Sequence, residues 1–259
     1  MDALREWEQA EIRRSNVEAG RTAASDTRSD DRKFARYSNP PAETPYPLEY
    51  AYHLVGNIEG KRVLDFGCGS GSNSLLLARR GAIVCGVDIS HDLLSIARQR
   101  LDRCAMPLRA QFIVASAHDL PLEDRSFDLV FGIAILHHLD LARVSKEVHR
   151  VLKPGGRAIF QEPVRNSRLI ELGRRIFPNR SDDISPYEHP LTSRQIAQFA
   201  APFSQVADRA FTLPHVRLAH HLGLFAKSVD RLYRIDAALL KRYPRLQLYS
   251  AVRVIELAR

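Results

Sequence analysis

The sequence is poor in residues that could form disulfides or a metal centre. Its 259 residues include only three cysteines, and it contains neither a Cys-x-x-Cys nor a His-x-Glu arrangement. An odd number of cysteines at no ligand spacing predicts free thiols in a reducing compartment. The same pattern predicts no metal site, since zinc needs clustered cysteine, histidine or acidic ligands. The cysteines are Cys68, Cys85 and Cys104.

Long apolar runs are also missing. No stretch approaches the roughly 18 apolar residues of a membrane-spanning helix. The N-terminus is charged, with Glu6, Glu8 and Glu11 near its start, and it has no apolar core of the kind that a secretory signal requires. We therefore expect a cytoplasmic protein that makes at most weak contact with a membrane surface.

Positive charge is abundant but scattered. The net charge is +8, yet no basic run reaches five residues, and no predicted strand carries the interleaved aromatic residues of a single-strand binder. A small-molecule partner is therefore favoured, and nucleic acid is the less favoured alternative. With 45% hydrophobic residues, the chain can build one α/β domain with elaborations.

The most informative segment is a glycine-rich turn between two apolar runs. The first run ends at Phe66 and leads into Gly67, Gly69 and Gly71, and the second ends on Asp88, 17 residues after Gly71. Glycines allow the backbone to approach a ligand closely. An acidic residue at the tip of the second strand can accept hydrogen bonds from ribose hydroxyls. The pattern is typical of a β-loop-α-β unit that binds an adenosine-containing cofactor.

The spacing of this turn distinguishes between adenosine cofactors. The dinucleotide fingerprint needs a third glycine where this chain has Ser72, and Asp65 lies two residues before Gly67. A carboxylate at that point would repel a pyrophosphate and attract an ammonium group. S-adenosylmethionine carries an ammonium group and a ribose but no phosphate, so the turn favours that cofactor.

With these motifs, the sequence resembles the class I S-adenosylmethionine-dependent methyltransferases of the small-molecule type found in quinone and natural-product pathways. The resemblance implies an α/β fold: a doubly wound, mostly parallel, Rossmann-like seven-stranded sheet with an antiparallel last strand and helical insertions. We expect the protein to be a monomer or a homodimer. The resemblance covers roughly residues 48–163 and is carried by VLDFGCGSG (63–71), GVDIS (86–90), DLPLEDRSFDLVFGIAILHHL (119–139) and VLKPGG (151–156).

The resemblance also implies the cofactor contacts. Asp65 is expected near the ammonium group, Asp88 at the ribose and Ile89 against the adenine. The family usually has an acidic residue for the adenine amino group where this chain has Ser116, so the backbone at Ala117 is expected to contribute. The remaining expected contacts, along the methionine and ribose, are Gly67, Cys68, Gly69, Gly71, Gly132 and Ile133.

Candidate bases follow two predicted strands. A base is needed only when the acceptor arrives protonated. Glu162 ends the fifth strand and is our first candidate, followed by His138 and then His137 after the fourth strand; a structural role is the alternative for each. Weaker candidates are Tyr187, Glu188 and His189, whereas His215, His220 and His221 are expected at the surface or in helix packing.

The chain divides into three predicted regions. Residues 1–47 form an N-terminal helix and a lid or linker, residues 48–163 the cofactor-binding core, and residues 164–259 complete the same domain, beginning with an insertion at 164–191 that could wall the substrate pocket. A helix over 215–243 packs on the domain, or forms a dimer face or a membrane-surface helix. Strands are predicted near 62–66, 82–87, 110–114, 127–132, 157–162, 205–212 and 250–257, and helices near 2–19, 72–80, 91–103, 140–152 and 192–201.

Three functions fit these patterns. The favoured one is methyl transfer from S-adenosylmethionine to an O, N or C atom of a small aromatic or apolar metabolite. The first alternative is a protein or nucleic-acid methyltransferase. The second is a protein that binds S-adenosylmethionine without methylating, such as a cyclase or a regulatory partner.

Overall fold

A seven-stranded sheet forms the centre of the molecule. The computed structural model describes residues 2–23, 31–104, 109–166, 189–221 and 225–259. The strands are β1 (Arg62–Phe66), β2 (Ile83–Asp88), β3 (Ala110–Val114), β4 (Phe127–Ile133), β5 (Leu152–Pro163), β6 (Ser204–Phe211) and β7 (Val252–Ala258).

The strand order is β3-β2-β1-β4-β5-β7-β6. Strands β1 to β5 pair in parallel, and β7 runs antiparallel to both of its neighbours, β5 and β6. The order reverses between β1 and β4, so ligands are expected in the crevice beyond the carboxyl ends of these strands. The fold class predicted from the sequence is confirmed.

Nine described helices surround this sheet. None of them is long and apolar enough to cross a membrane. They are α1 (Asp2–Ala23), α2 (Asp31–Ser38), α3 (Pro47–Val55), α4 (Ser72–Arg79), α5 (His91–Asp102), α6 (Leu141–Val151), α7 (Ser193–Ala200), α8 (Pro214–His221) and α9 (Phe225–Arg242), with 3-10 turns at Leu136–His138 and Pro244–Tyr249.

The helices agree with those predicted from the sequence, with three differences. Two short helices, α2 and α3, lie where prolines were expected to exclude a long one; Pro47 starts α3, a position at which no backbone N–H is needed. The described part of the helix predicted over 215–243 consists of α8 and α9. The following 3-10 turn was not predicted.

Strand β5 begins earlier than predicted. We expected it near 157–162, with a turn over Leu152–Gly156. Instead Leu152 already pairs with Phe127, and the next pair is Arg157 with Leu129. The register shift accommodates the extra residues, and Gly155 there has φ 75°, a conformation that favours glycine.

Each face of the sheet is covered by helices. On one face, Phe66 and Phe160 pack with Val148 of α6 and Phe199 of α7. On the other face, Phe131 packs with residues of α3 and α4. Side chains alternate along each strand, so one sheet serves both cores. Burial on both faces holds the carboxyl ends of β1, β2 and β4 in fixed positions.

Candidate cofactor-binding site

A cleft lies beyond the carboxyl ends of β1, β2, β3 and β4. It holds about 540 Å³ of empty space, open solvent included. Helix α1 forms one wall and the strand ends form the other. The lining residues are Trp7, Glu8, Glu11, Arg14 and Ser15 of α1 and Gly67, Val87, Asp88, Ile89, Ala115, Ser116, Ala117, His118, Ile135, His138 and Leu139.

The glycine turn is locked to the tip of β2. The backbone N–H groups of Gly67 and Cys68 donate to the carbonyl of Val87 at 2.9 and 3.0 Å, and the Gly69 N–H donates to Oδ2 of Asp88 at 2.9 Å. Gly69 has φ 52°, and a Cβ built there would meet no atom within 4 Å. Open space at a positive-φ glycine leaves room for a ligand to approach the backbone.

Two other glycines predicted to contact the cofactor, Gly71 of the turn and Gly132 of β4, have packing reasons. Gly71 has φ 77°, and a Cβ there would lie 2.7 Å from the Cβ of Ala97 on α5. A Cβ on Gly132 would lie 2.5 Å from the ring of Phe160. Both glycines therefore permit close packing inside the domain, and neither lines the cleft.

Asp88 presents a fixed carboxylate to the cleft. Its Oδ2 accepts from Gly69, and its Oδ1 accepts from the N–H of Ser90 at 2.9 Å. Burial raises the pKa of Asp88, and the two N–H bonds oppose that rise. A carboxylate has about four acceptor positions, so two backbone bonds leave room for two hydroxyl donors. Ser90 in turn caps α5 by accepting from the Leu93 N–H at 3.2 Å.

Asp65 lies behind the glycine turn rather than in the cleft wall. It is 1% exposed, and the Ser74 hydroxyl donates to its Oδ2 at 2.5 Å. Burial raises the pKa of Asp65 to about 7, and the charge of Asp88 adds to the rise while Ser74 opposes it. A cation brought near this carboxyl group would favour its ionised form.

The predicted cofactor residues thus divide into two groups. Two lining residues, Ser116 and Ala117, follow β3, where Ser116 donates a hydrogen bond to the carboxylate of Glu8. The predicted residues that line the cleft are Gly67, Asp88, Ile89, Ser116 and Ala117, and those that do not are Asp65, Cys68, Gly69, Gly71, Gly132 and Ile133.

The three candidate bases lie at different depths. Glu162 is 1% exposed; its Oε1 accepts from the N–H groups of Ile135 and Leu136 at 2.9 and 2.8 Å, and its Oε2 lies 2.9 Å from Nδ1 of His137. This carboxylate therefore holds the loop that follows β4. Glu162 and His137 do not line the cleft, whereas His138 does, with its ring centroid 4.0 Å from that of His137.

Sequence reasoning missed the contribution of α1. Its cleft-lining residues recur at helical spacing, and Ala19 further along the helix packs on Leu93 and Ile96 of α5. Oε2 of Glu11 lies 3.2 Å from Nδ1 of His138. The face of α1 that lines the cleft mixes charged and apolar side chains, so its residue pattern does not show an apolar face. The single tryptophan of the chain, Trp7, was the available signal.

The insertion after β5 (residues 164–191) starts and ends near the loop that follows β4. Val164 and Leu191 form a parallel bridge, and the N–H of His189 meets the carbonyl of His137 at 3.5 Å. Tyr187 and Glu188 lie outside the described residues, as do the side chains of His220 and His221. His215, on α8, has Nε2 3.8 Å from Oδ1 of Asp236 and does not line the cleft.

Comparison with known proteins finds similarity to methyltransferases. A family model described as a methyltransferase domain matches residues 64–160. The ubiquinone biosynthesis O-methyltransferase of Coxiella burnetii is 30% identical over 162 residues, which cover 60% of this chain and 68% of that protein. The fatty-acid O-methyltransferase of Mycolicibacterium smegmatis is 29% identical over 252 residues, covering 90% of this chain and 80% of that protein.

A solved structure shows the same fold. Geranyl diphosphate C-methyltransferase from Streptomyces coelicolor superposes with a TM-score of 0.59 at 17% identity, covering 81% of this chain and 76% of that chain. Among five curated relatives, the matched region spans between 43% and 68% of the relative's length.

Proposed function

This chain belongs to the class I S-adenosylmethionine-dependent methyltransferases, and we propose that it transfers a methyl group to an oxygen atom of a small apolar or aromatic metabolite. The observation that carries the proposal is the carboxylate of Asp88, held by the Gly69 amide at the edge of a cleft beyond the carboxyl ends of the strands. The sulfonium of the cofactor supplies an activated methyl group. The protein then has to align the acceptor and exclude water.

The residues present fit the cofactor. Asp88 retains acceptor positions for both ribose hydroxyls, and the open space at Gly69 admits a ligand close to the backbone. We assign Ile89, Ser116 and Ala117 to the adenine end, where they line the cleft. Asp65 acts on the ammonium group from behind the turn, by charge rather than by direct contact.

His138 is the base that the geometry supports best. It lines the cleft, whereas Glu162 and His137 lie behind it. We assign Glu162 to the support of the loop, because both of its oxygens are engaged there. A histidine at this point suits an acceptor that must lose a proton, such as a phenolic hydroxyl.

Relatives suggest two kinds of oxygen acceptor. By their names, one matched protein acts in ubiquinone biosynthesis and another on fatty acids. A fatty acid is already an anion at neutral pH and needs no base, whereas a phenol needs one. The position of His138 therefore favours the phenol.

A paired assay tests the proposal. The protein is incubated with S-adenosylmethionine and either an alkyl catechol or a fatty acid of equal chain length, and the gain of one methyl group is followed by mass spectrometry. We expect the catechol to be methylated and His138→Gln to lower its turnover by about 10²-fold, the scale of general-base effects. His91→Gln, at an exposed histidine, serves as the control.

Either of two results would overturn part of the proposal. Methylation of the fatty acid alone would identify a carboxylate acceptor and remove the need for a base. Transfer to neither probe by protein that binds S-adenosylhomocysteine would reject this acceptor class.

A further inference from the structure

Helix α1 places a carboxylate beside the histidine of the cleft. We propose that Glu11 is a positioning residue: it holds the neutral ring of His138 in the tautomer that carries its proton on Nδ1 and leaves the lone pair of Nε2 for the acceptor. The catalytic meaning of this role rests on the proposed function, in which His138 is the base. The assignment of the tautomer does not depend on the proposed function.

The contact is short and shielded from solvent. Oε2 of Glu11 lies 3.2 Å from Nδ1 of His138, and each side chain is 8% exposed. The two atoms are within hydrogen-bond distance but are not yet aligned as a hydrogen bond. Catalytic hydrogen bonds are often loosely aligned before ligands bind.

The charge of Glu11 decides which atom donates. Nε of Arg14 lies 3.1 Å from the same Oε2, and such a pair favours an ionised carboxylate. An ionised carboxylate can only accept hydrogen bonds. A neutral His138 facing it must therefore carry its proton on Nδ1, and Nε2 is then the basic nitrogen.

A second histidine on the same wall shows the same arrangement. Nε2 of His118 accepts from the backbone N–H of Asp140 at 3.0 Å, so its proton is on Nδ1. That nitrogen lies 3.2 Å from Oε1 of Glu8. Glu8 and Glu11 are three residues apart and so share one face of α1. This face therefore brings two carboxylates to two Nδ1 atoms.

The alternative is that Glu11 only anchors α1 to the domain. An anchor would need the contact but would not need a particular tautomer of His138. The test must therefore read the tautomer directly.

The tautomer is measured by nitrogen NMR of protein labelled in histidine, with S-adenosylhomocysteine bound, at a pH where the ring is neutral. His138→Gln assigns the signals. We expect the Nδ1–H form in the unchanged protein and a shift toward the Nε2–H form in Glu11→Gln, because the glutamine amide can donate to Nδ1. Glu6→Gln, at an exposed position on the same helix, should leave the ring unchanged.

The proposal is overturned if His138 is in the Nε2–H form in the unchanged protein, or if Glu11→Gln leaves its tautomer unaltered. The tautomer of the unchanged protein is measured without any variant of Glu11. The proposal can therefore be refuted even if Glu11→Gln fails to fold. Loss of S-adenosylhomocysteine binding by the unchanged protein would instead count against the proposed function, and the tautomer would then be read without ligand.

A kinetic readout separates positioning from anchoring. With the catechol probe, Glu11→Gln should lower kcat by at least tenfold and leave KM for S-adenosylmethionine within a few fold. Glu6→Gln should change neither. Equal losses in kcat and in cofactor affinity would point to an anchor and reject the positioning role.

Discussion

Replacement of Asp88 by alanine tests the cofactor site most directly. In the proposed site, the side chain serves both the fold and the ligand. Both of its oxygens accept backbone N–H bonds, from Gly69 and Ser90, and their remaining acceptor positions are assigned to the ribose hydroxyls. Asp88→Ala removes both kinds of contact at once. We therefore expect weaker binding and a separate loss of stability.

The structure sets the size of each effect. A hydrogen bond to a charged group contributes about 1.5–3 kcal/mol. Even one such bond lost in Asp88→Ala corresponds to a roughly 10- to 150-fold rise in Kd. The two N–H groups lose their side-chain acceptor, at a cost of about 1–3 kcal/mol each where water does not replace it. The Ser90 hydroxyl still caps α5 in this variant, which limits the unfolding of that helix.

Titration calorimetry with S-adenosylhomocysteine measures the affinity, and urea unfolding measures the stability. Asp92→Ala is the matched control, because Asp92 is an exposed aspartate on the next helix. A Kd within twofold of the unchanged protein, in folded Asp88→Ala, would refute the assignment of Asp88 to the ribose.

Three further predictions use the same site. Gly69→Ala should lose cofactor affinity and some stability, because its Cβ enters open space but φ 52° is strained for a residue with a Cβ. Gly71→Ala should destabilise the fold more, because its φ of 77° is also unfavourable and its Cβ in addition meets α5. Unfolding curves and calorimetry that show equal effects would contradict this. Since burial raises the pKa of Asp65 to about 7, cofactor binding near and below that pH should release a proton and weaken as pH falls; calorimetry in two buffers should show this release, and Asp65→Asn should abolish it. Glu162→Ala should lower the free energy of unfolding by about 2–4 kcal/mol, because it leaves buried N–H groups unpaired. Glu162→Gln should lower it by much less, since an amide can replace each contact. A stable Glu162→Gln protein whose turnover is reduced about 10²-fold would restore Glu162 as the base.

Local sequence patterns predicted half of the site. The glycine turn and Asp88 belong to one β-loop-α-β unit, so their spacing alone predicts where they meet. The alternation of strands and helices likewise predicted the sheet, which the structure confirms. Such features depend on residues within about one supersecondary unit of each other.

The other half depends on contacts between distant segments. Glu11 reaches His138, and Glu8 reaches Ser116, from a helix at the far end of the sequence. No local pattern states which face of α1 meets which strand end. Glu162 was placed at the correct edge of the sheet, but its partners are backbone N–H groups of another loop, which a sequence does not display.

The bridge between Val164 and Leu191 has a consequence for how such a protein could diversify. The chain leaves the sheet and returns to it at adjacent points, and Pro163 and Leu191 are joined by a further backbone hydrogen bond of 2.9 Å. Because these two points are adjacent, the chain between them can change in length and sequence at a small cost in loop-closure entropy. If the insertion walls the substrate pocket, as the sequence predicts, exchange of residues 167–188 for another sequence would redirect acceptor choice while the strands that carry Asp88 and the glycine turn stay as they are. New specificities could therefore arise without disturbing the machinery that all of them would share.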